Sequence, residues 1–160
     1  MILRKGIKMN KAILVDVDGT LVSVTDFDYS VFDKGDVVVS EYLKLWNAKT
    51  MEASVYTEGV RIVKEFKAMG YTIVVLTARG VSCKKYTAKK FKEMGIDGVV
   101  DSVWHRPLAW EGKSSAAYKE HMIKKLSKKF NFHFAMEDED KNIAVMTAAG
   151  IRVLDARTWW

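Results

Sequence analysis

The stretch Ala12-Ile13-Leu14-Val15-Asp16-Val17-Asp18-Gly19-Thr20 runs an apolar segment straight into two carboxylates and a glycine. Ala12 to Val17 is short, rich in branched side chains and followed by a turn residue, which reads as a buried strand. It is too short to span a membrane, and it ends in acid. In an extended segment, residues two apart point the same way, so Asp16 and Asp18 lie side by side. Two such carboxylates repel unless a cation shares them, and hard oxygen ligands suit Mg²⁺. A carboxylate can also act as a covalent nucleophile toward phosphorus. A solvated Asp-Gly turn would carry the same letters. The rest of the chain decides between these readings by what it brings to the same place.

Outward from this strand, apolar runs alternate with amphipathic stretches. Thr57 or Glu58 opens a helix with Val60, Ile62, Val63, Phe66 and Met69 inward and Gly70 as its stop. Tyr71 to Leu76 is a second buried strand. A helix from about Ser82 to Met94 closes at Gly95, and Val99 to Trp104 is a third strand. Ser114 or Ser115 starts a helix that runs to Phe130. Phe132 to Met136 is a fourth strand, Asn142 to Ala149 a helix ending at Gly150, and Ile151 to Leu154 a fifth strand. Strands buried on both faces and joined by helices imply an α/β fold. This is a three-layer, Rossmann-like parallel sheet with helices on both faces. Residues 1–160 read as one domain. Residues 21–56 form a small cap or flap insertion, with Tyr42, Leu43 and Trp46 as anchors of a short helix.

Ligands gather at the carboxyl ends of parallel strands. After the second strand stands Thr77-Ala78-Arg79, a hydroxyl and a guanidinium able to hold phosphate oxygens. A helix N-cap and a surface arginine would look the same. After the third strand comes His105-Arg106, where Arg106 could hold a second phosphate. After the fourth comes Glu137-Asp138-Glu139-Asp140, placed to complete a cation site with Asp16 and Asp18. Met122, Ile123, Leu126 and Phe130 mark the buried face of the preceding helix. Lys119 stands three, four, seven and eleven residues before them, on that same face. An inward lysine needs an anionic partner. Lys113 is the rival candidate.

The 160 residues are 49% hydrophobic, enough for one domain with a sizeable core. Twenty-six Lys and Arg against 20 Asp and Glu leave a net charge of +6, which suits a polyanionic partner without requiring one. The lone cysteine, Cys83, excludes an internal disulfide and fits a reducing, cytoplasmic setting. Met1 to Lys11 is basic and lacks a continuous apolar signal region, and Met9 is an alternative start.

In order along Ala12 to Ala156, these features resemble the haloacid-dehalogenase-like (HAD) hydrolases. The first motif is Asp16-Val17-Asp18-Gly19-Thr20-Leu21, the second Thr77, the third Lys119, and the fourth Glu137-Asp138. Each string is common alone, and the specificity lies in four of them in order at strand ends. The resemblance implies that Asp16 attacks phosphorus and that Asp18 protonates the leaving oxygen, then activates water. It implies Mg²⁺ bound by Asp16, the backbone carbonyl of Asp18 and Asp138, with Glu137 direct or in support. Thr77 and Lys119 would hold the transferring phosphoryl group, and Gly19, Thr20, Ala78, Arg79 and Arg106 would line the substrate.

A narrower resemblance is to the 3′-phosphatase domain of phage-type polynucleotide kinases. It rests on Gly70 to Arg79, Arg106-Pro107, Tyr118-Lys119-Glu120 with Phe130, and Ala135 to Asp138. Phe27-Asp28-Tyr29-Ser30 belongs to the same pattern. It implies a DNA or RNA 3′-end as substrate, with Arg79 and Arg106 on the backbone. Glu139 departs from it, since that family has arginine after the acidic pair. The departure favours the alternative, a 5′(3′)-deoxyribonucleotidase-like or other small-molecule phosphatase. No kinase phosphate loop is present. Lys85, Lys89 and Lys92 form a basic helix stripe, and Trp110, Trp159 and Trp160 are candidates to stack on bases.

Overall fold

The computed structural model describes residues 8–24 and 50–160. The expected cap, with Tyr42, Leu43, Trp46 and the Phe27 to Ser30 segment, lies largely outside the described residues. Among the described residues, five strands form one sheet. They are β1 (Asn10–Val15), β2 (Thr72–Gly80), β3 (Ser102–Arg106), β4 (Phe130–Glu137) and β5 (Arg152–Asp155). Their order is β3-β2-β1-β4-β5 and every pairing is parallel. Four helices connect them: α1 (Thr57–Ala68), α2 (Lys84–Met94), α3 (Ser115–Leu126) and α4 (Asp140–Ala148).

The period of two in β1 and β2 splits the core into two layers. Ile13, Val15, Ile73 and Val75 face the side covered by Val60, Val63 and Phe66 of α1 and by Phe91 and Met94 of α2. Ala12, Leu14, Val74 and Leu76 face the side covered by Tyr118, Met122, Ile123 and Leu126 of α3 and by Met146 of α4. β1 is central and apolar on both faces, and Ala12 to Val15 have no exposed surface. Burial of each large side chain there contributes about 1.5–3 kcal/mol.

Several element ends differ from the sequence expectation, each for a local reason. β1 stops at Val15, although Asp16 still donates its N–H to the Met136 carbonyl at 3.0 Å. β2 continues past Leu76 to Gly80, so Thr77-Ala78-Arg79 is strand and not a helix cap. Its register against β3 shifts there: Leu76 pairs with Trp104, but Gly80 pairs with Arg106. A turn, Val81–Cys83, then precedes α2. Val99 and Val100 are not strand, because both donate their N–H to the Ile96 carbonyl. α3 ends at Leu126, and Phe130 instead opens β4 opposite Asn10. Met69 is 55% exposed, one residue past α1. Gly70, Gly95 and Gly150 follow helix ends with φ of +84°, +70° and +80°, the left-handed exit that favours glycine.

Two substitutions test this layering. Leu14→Ala, at a fully buried central position, should lower the unfolding free energy by about 2–5 kcal/mol in denaturant titration. Met69→Ala should change it by less than about 0.5 kcal/mol.

Candidate active site

The strand registers set the carboxyl ends of β1, β2 and β4 side by side. Val15 pairs with both Val75 and Met136, so Asp16 emerges between Leu76 and Glu137. Asp16 and Glu137 are both buried, at 5% and 0% exposure. Lys119, on the sheet-facing side of α3, reaches down between them. Its Nζ donates to Asp16 Oδ1 at 2.7 Å and to Glu137 Oε2 at 2.6 Å. Lys113 is exposed and contributes only its backbone there, accepting from Arg106. The geometry thus separates the two candidate lysines.

Glu137 Oε1 accepts the backbone N–H groups of Asp138 (3.0 Å) and Glu139 (3.2 Å). Both Glu137 oxygens are therefore engaged by the protein. Asp138 is half-buried beside it, and Asp16, Glu137 and Asp138 each offer a carboxylate oxygen within 4.8 Å of the others. Three carboxylates thus face one ammonium. Burial above all, then the facing Glu137, pushes the Asp16 carboxyl up to about 7 against the pull of Lys119. Burial and then Asp16 push the Asp138 carboxyl up to about 9. Burial disfavours the Lys119 charge, but Asp16 and Glu137 outweigh it and hold that ammonium above its ordinary range. Such an excess of hard, crowded oxygen donors suits a divalent cation.

Asp18 lies apart from this cluster. Arg79 Nε and Nη2 donate to its two oxygens at 2.8 and 2.7 Å, a bidentate pair whose arginine is almost wholly buried. The irregular register of β2 is what places Arg79 there. Its remaining Nη1 approaches Thr87 Oγ1 at 3.4 Å. Thr87 also contacts His105 Nε2 at 3.1 Å. Burial, then Lys84 and Arg79, push that imidazole down to about 4. Thr77 has no exposed surface, and its Oγ1 accepts the Arg79 N–H at 3.1 Å. Asp16, Asp18, Ala78, Arg79, Arg106, Lys119, Glu137 and Asp138 share one open cleft of about 310 Å³. Gly19 and Thr20 form the turn beside it, and Thr20 Oγ1 donates to Asp16 Oδ2 at 3.2 Å. Arg106 donates through Nη1 to the Lys113 carbonyl at 3.2 Å, and its buried Nε has no partner among the described residues.

Sequence reading missed one wall of the cleft. Asn142 is buried, and its Nδ2 donates to Ser115 Oγ and to Glu139 Oε2, both at 3.2 Å. The spacing that exposed Lys119 would have found it, since Asn142 precedes the buried Met146 by four residues.

With this geometry in place, the family follows from the whole chain. Residues 1–156 match the model of the HAD superfamily, subfamily IIIB (acid phosphatase). The chain belongs to the HAD superfamily. Its five-stranded parallel sheet is the fold expected of that superfamily. No curated protein sequence matches it. Solved structures share the fold at low identity. A chain of the Pnkp1/Rnl/Hen1 RNA repair complex is 15% identical with a TM-score of 0.74, over 97% of this chain and 45% of that one. This HAD chain therefore spans just under half of the chain it resembles there. The class C acid phosphatase of Bacillus anthracis with tungstate bound is 16% identical with a TM-score of 0.65, over 94% and 68%. A substituted HAD-family enzyme of Bacteroides thetaiotaomicron, in complex with magnesium and inorganic phosphate, is 13% identical with a TM-score of 0.54, over 91% and 93%. Among the described residues of this HAD protein, no helix is long and apolar enough to cross a membrane.

The crowded carboxylates predict a linked metal and pH response. Asp16 and Asp138 keep protons in the folded chain that the unfolded chain releases above about pH 4. With chelator, their contribution to stability should therefore fall as pH rises from about 4 through about 9. MgCl₂ at about one hundred times its Kd should add about 2.7 kcal/mol. The gain should be larger at pH 8 than at pH 5, where protons compete. A Tm indifferent to MgCl₂ at pH 8 would contradict the cation site.

Proposed function

We propose that this HAD protein is a phosphatase that removes 3′-phosphates from nucleic-acid ends through an aspartyl-phosphate on Asp16. The observation that carries the chemistry is the division of the two aspartates between two cations. Asp16 sits on Lys119, and Asp18 sits on Arg79. One carboxylate is thereby held as a nucleophile and its neighbour is held apart as a proton carrier.

In the first step, an Asp16 oxygen bonds to phosphorus as the ester P–O bond breaks. A protonated Asp18 gives its proton to the leaving oxygen. In the second step, Asp18 takes a proton from water, whose oxygen attacks the same phosphorus. Inorganic phosphate leaves and the Asp16 carboxylate returns. Both Asp18 oxygens rest on Arg79 in this structure, so one must leave the guanidinium to carry the proton. The Lys119 ammonium would offset the charge that gathers on the phosphoryl oxygens in transfer, and the Thr77 hydroxyl would donate a hydrogen bond to one of them. Mg²⁺ would be held by Asp16, Asp138 and the Asp18 carbonyl, with Glu137 in support, and would neutralise phosphoryl charge when bound. Gly19, Thr20 and Ala78 would close round the substrate.

Two features support a nucleic-acid end. Arg106 sits on the cleft with a buried Nε that has no partner among the described residues, which suits a flanking phosphate. The fold is also shared with a chain of an RNA repair complex. A second reading rests on Glu139. Its carboxylate lines the cleft where a polyanion would meet repulsion, which favours a mononucleotide or other small phosphomonoester.

A substrate panel with Mg²⁺ separates the two. DNA and RNA oligonucleotides bearing 3′-phosphates should be hydrolysed with kcat/KM at least about tenfold above 3′- and 5′-mononucleotides, a difference of 1.4 kcal/mol. The reverse order would establish the small-molecule reading. Asp16→Asn should lose at least about 10⁴-fold in kcat, and Arg79→Lys about 10²-fold. Unchanged phosphate release by Asp16→Asn would sink the mechanism.

A further inference from the structure

Behind the two aspartates, the turn Asp16 to Val22 is held by its carbonyls. The Val17 carbonyl accepts the N–H groups of Thr20, Leu21 and Val22 at 2.8–3.2 Å. The carbonyls of Gly19 and Thr20 point toward a different part of the chain. There, two consecutive indoles meet them. Trp160 Nε1 donates to the Gly19 carbonyl at 2.7 Å, and Trp159 Nε1 donates to the Thr20 carbonyl at 3.0 Å. An indole N–H is the only hydrogen-bonding group a tryptophan side chain has. Both tryptophans use it on this one turn.

The turn has little room to move elsewhere. Gly19 has φ +78°, and a Cβ there would lie 2.1 Å from Asp138 Oδ2. Gly59, at the start of α1, lets the turn approach equally closely, since a Cβ there would lie 2.5 Å from the Thr20 carbonyl oxygen. The turn is thus pressed against Asp138 on one side and against α1 and Trp159 on the other. Trp160 is 50% exposed and stacks on Tyr56 with ring centroids 6.4 Å apart. An indole so open to solvent gains less from burial than a core residue. Its short hydrogen bond to Gly19 and its stack on Tyr56 are the contacts that hold it.

We infer that Trp159 and Trp160 are positioning residues for the reaction: their paired N–H groups fix the turn that sets Asp16 beside Glu137 and Asp138 and Asp18 on Arg79 across the same cleft. The inference deepens the proposed function and rests on it for the identity of the reacting groups. Base stacking, the role the sequence suggested for these residues, is not needed to explain their contacts.

The test removes the N–H and keeps an aromatic ring. Trp159→Phe, Trp160→Phe and the double variant are assayed with p-nitrophenyl phosphate and saturating MgCl₂, and amide exchange is followed over residues 16–23 and over β1 to β5. A displacement of about 1 Å at reacting groups lowers rates by about 10²-fold. The double variant should therefore lose at least about tenfold in kcat with KM nearly unchanged. Exchange in 16–23 should quicken about tenfold while the strands stay protected. Trp160→Phe alone, at a half-exposed position that leaves the core intact, should show the same pattern in smaller degree. A kcat within twofold of the parent, or exchange that rises equally in strands and turn, would overturn the inference. Failure of the parent to hydrolyse any phosphomonoester would refute the proposed function instead, and the exchange pattern would still decide the clamp.

Discussion

The structure depends on one buried ammonium. Lys119 is 1% exposed, yet it carries charge because Asp16 and Glu137 each lie within 2.7 Å of its Nζ. Neither carboxylate would be tolerable at that depth without it, and Lys119 would not be tolerable without them. The three groups come from three elements: the end of β1, the middle of α3 and the end of β4. Their pairing therefore fixes how α3 packs on the sheet as well as how the site is charged. It also leaves the site short of positive charge, because Asp138 adds a third carboxylate beside the first two.

A second ion pair then separates two residues that the sequence makes look equivalent. Asp16 and Asp18 are two positions apart and both acidic, but the protein gives them different partners. Asp16 meets a lysine point charge and a threonine hydroxyl. Asp18 meets the fork of Arg79, a planar donor that fixes both oxygens at once. The proposed reaction needs this asymmetry. A nucleophile must stay ionised and aimed, and a proton carrier must exchange a proton while staying in reach of the leaving oxygen.

Much of this was legible in the sequence because it follows from periodicity. Continuous apolar strands alternating with amphipathic helices give the parallel sheet, and the spacing of three and four along α3 gives the inward Lys119. The acidic run after β4 gave the cation cluster. What escaped depends on contacts between distant segments. Thr77 to Arg79 continues the strand through an irregular register with β3, which no local pattern encodes, so the partner of Arg79 was read as phosphate and found to be Asp18. Phe130 fitted the α3 stripe by spacing, but its pairing opposite Asn10 draws it into β4. The two tryptophans stand out in the sequence as candidates to stack on bases, but their hydrogen bonds to a turn some 140 residues earlier leave no local signature.

The central claim is that the phosphoryl group passes through Asp16. The most direct measurement quenches the enzyme during turnover of a phosphomonoester with Mg²⁺, reduces acyl phosphates with labelled borohydride, and maps the label by peptide mass spectrometry. Label is expected on Asp16, dependent on substrate. Label on another residue, or none while phosphate is being released, would contradict it.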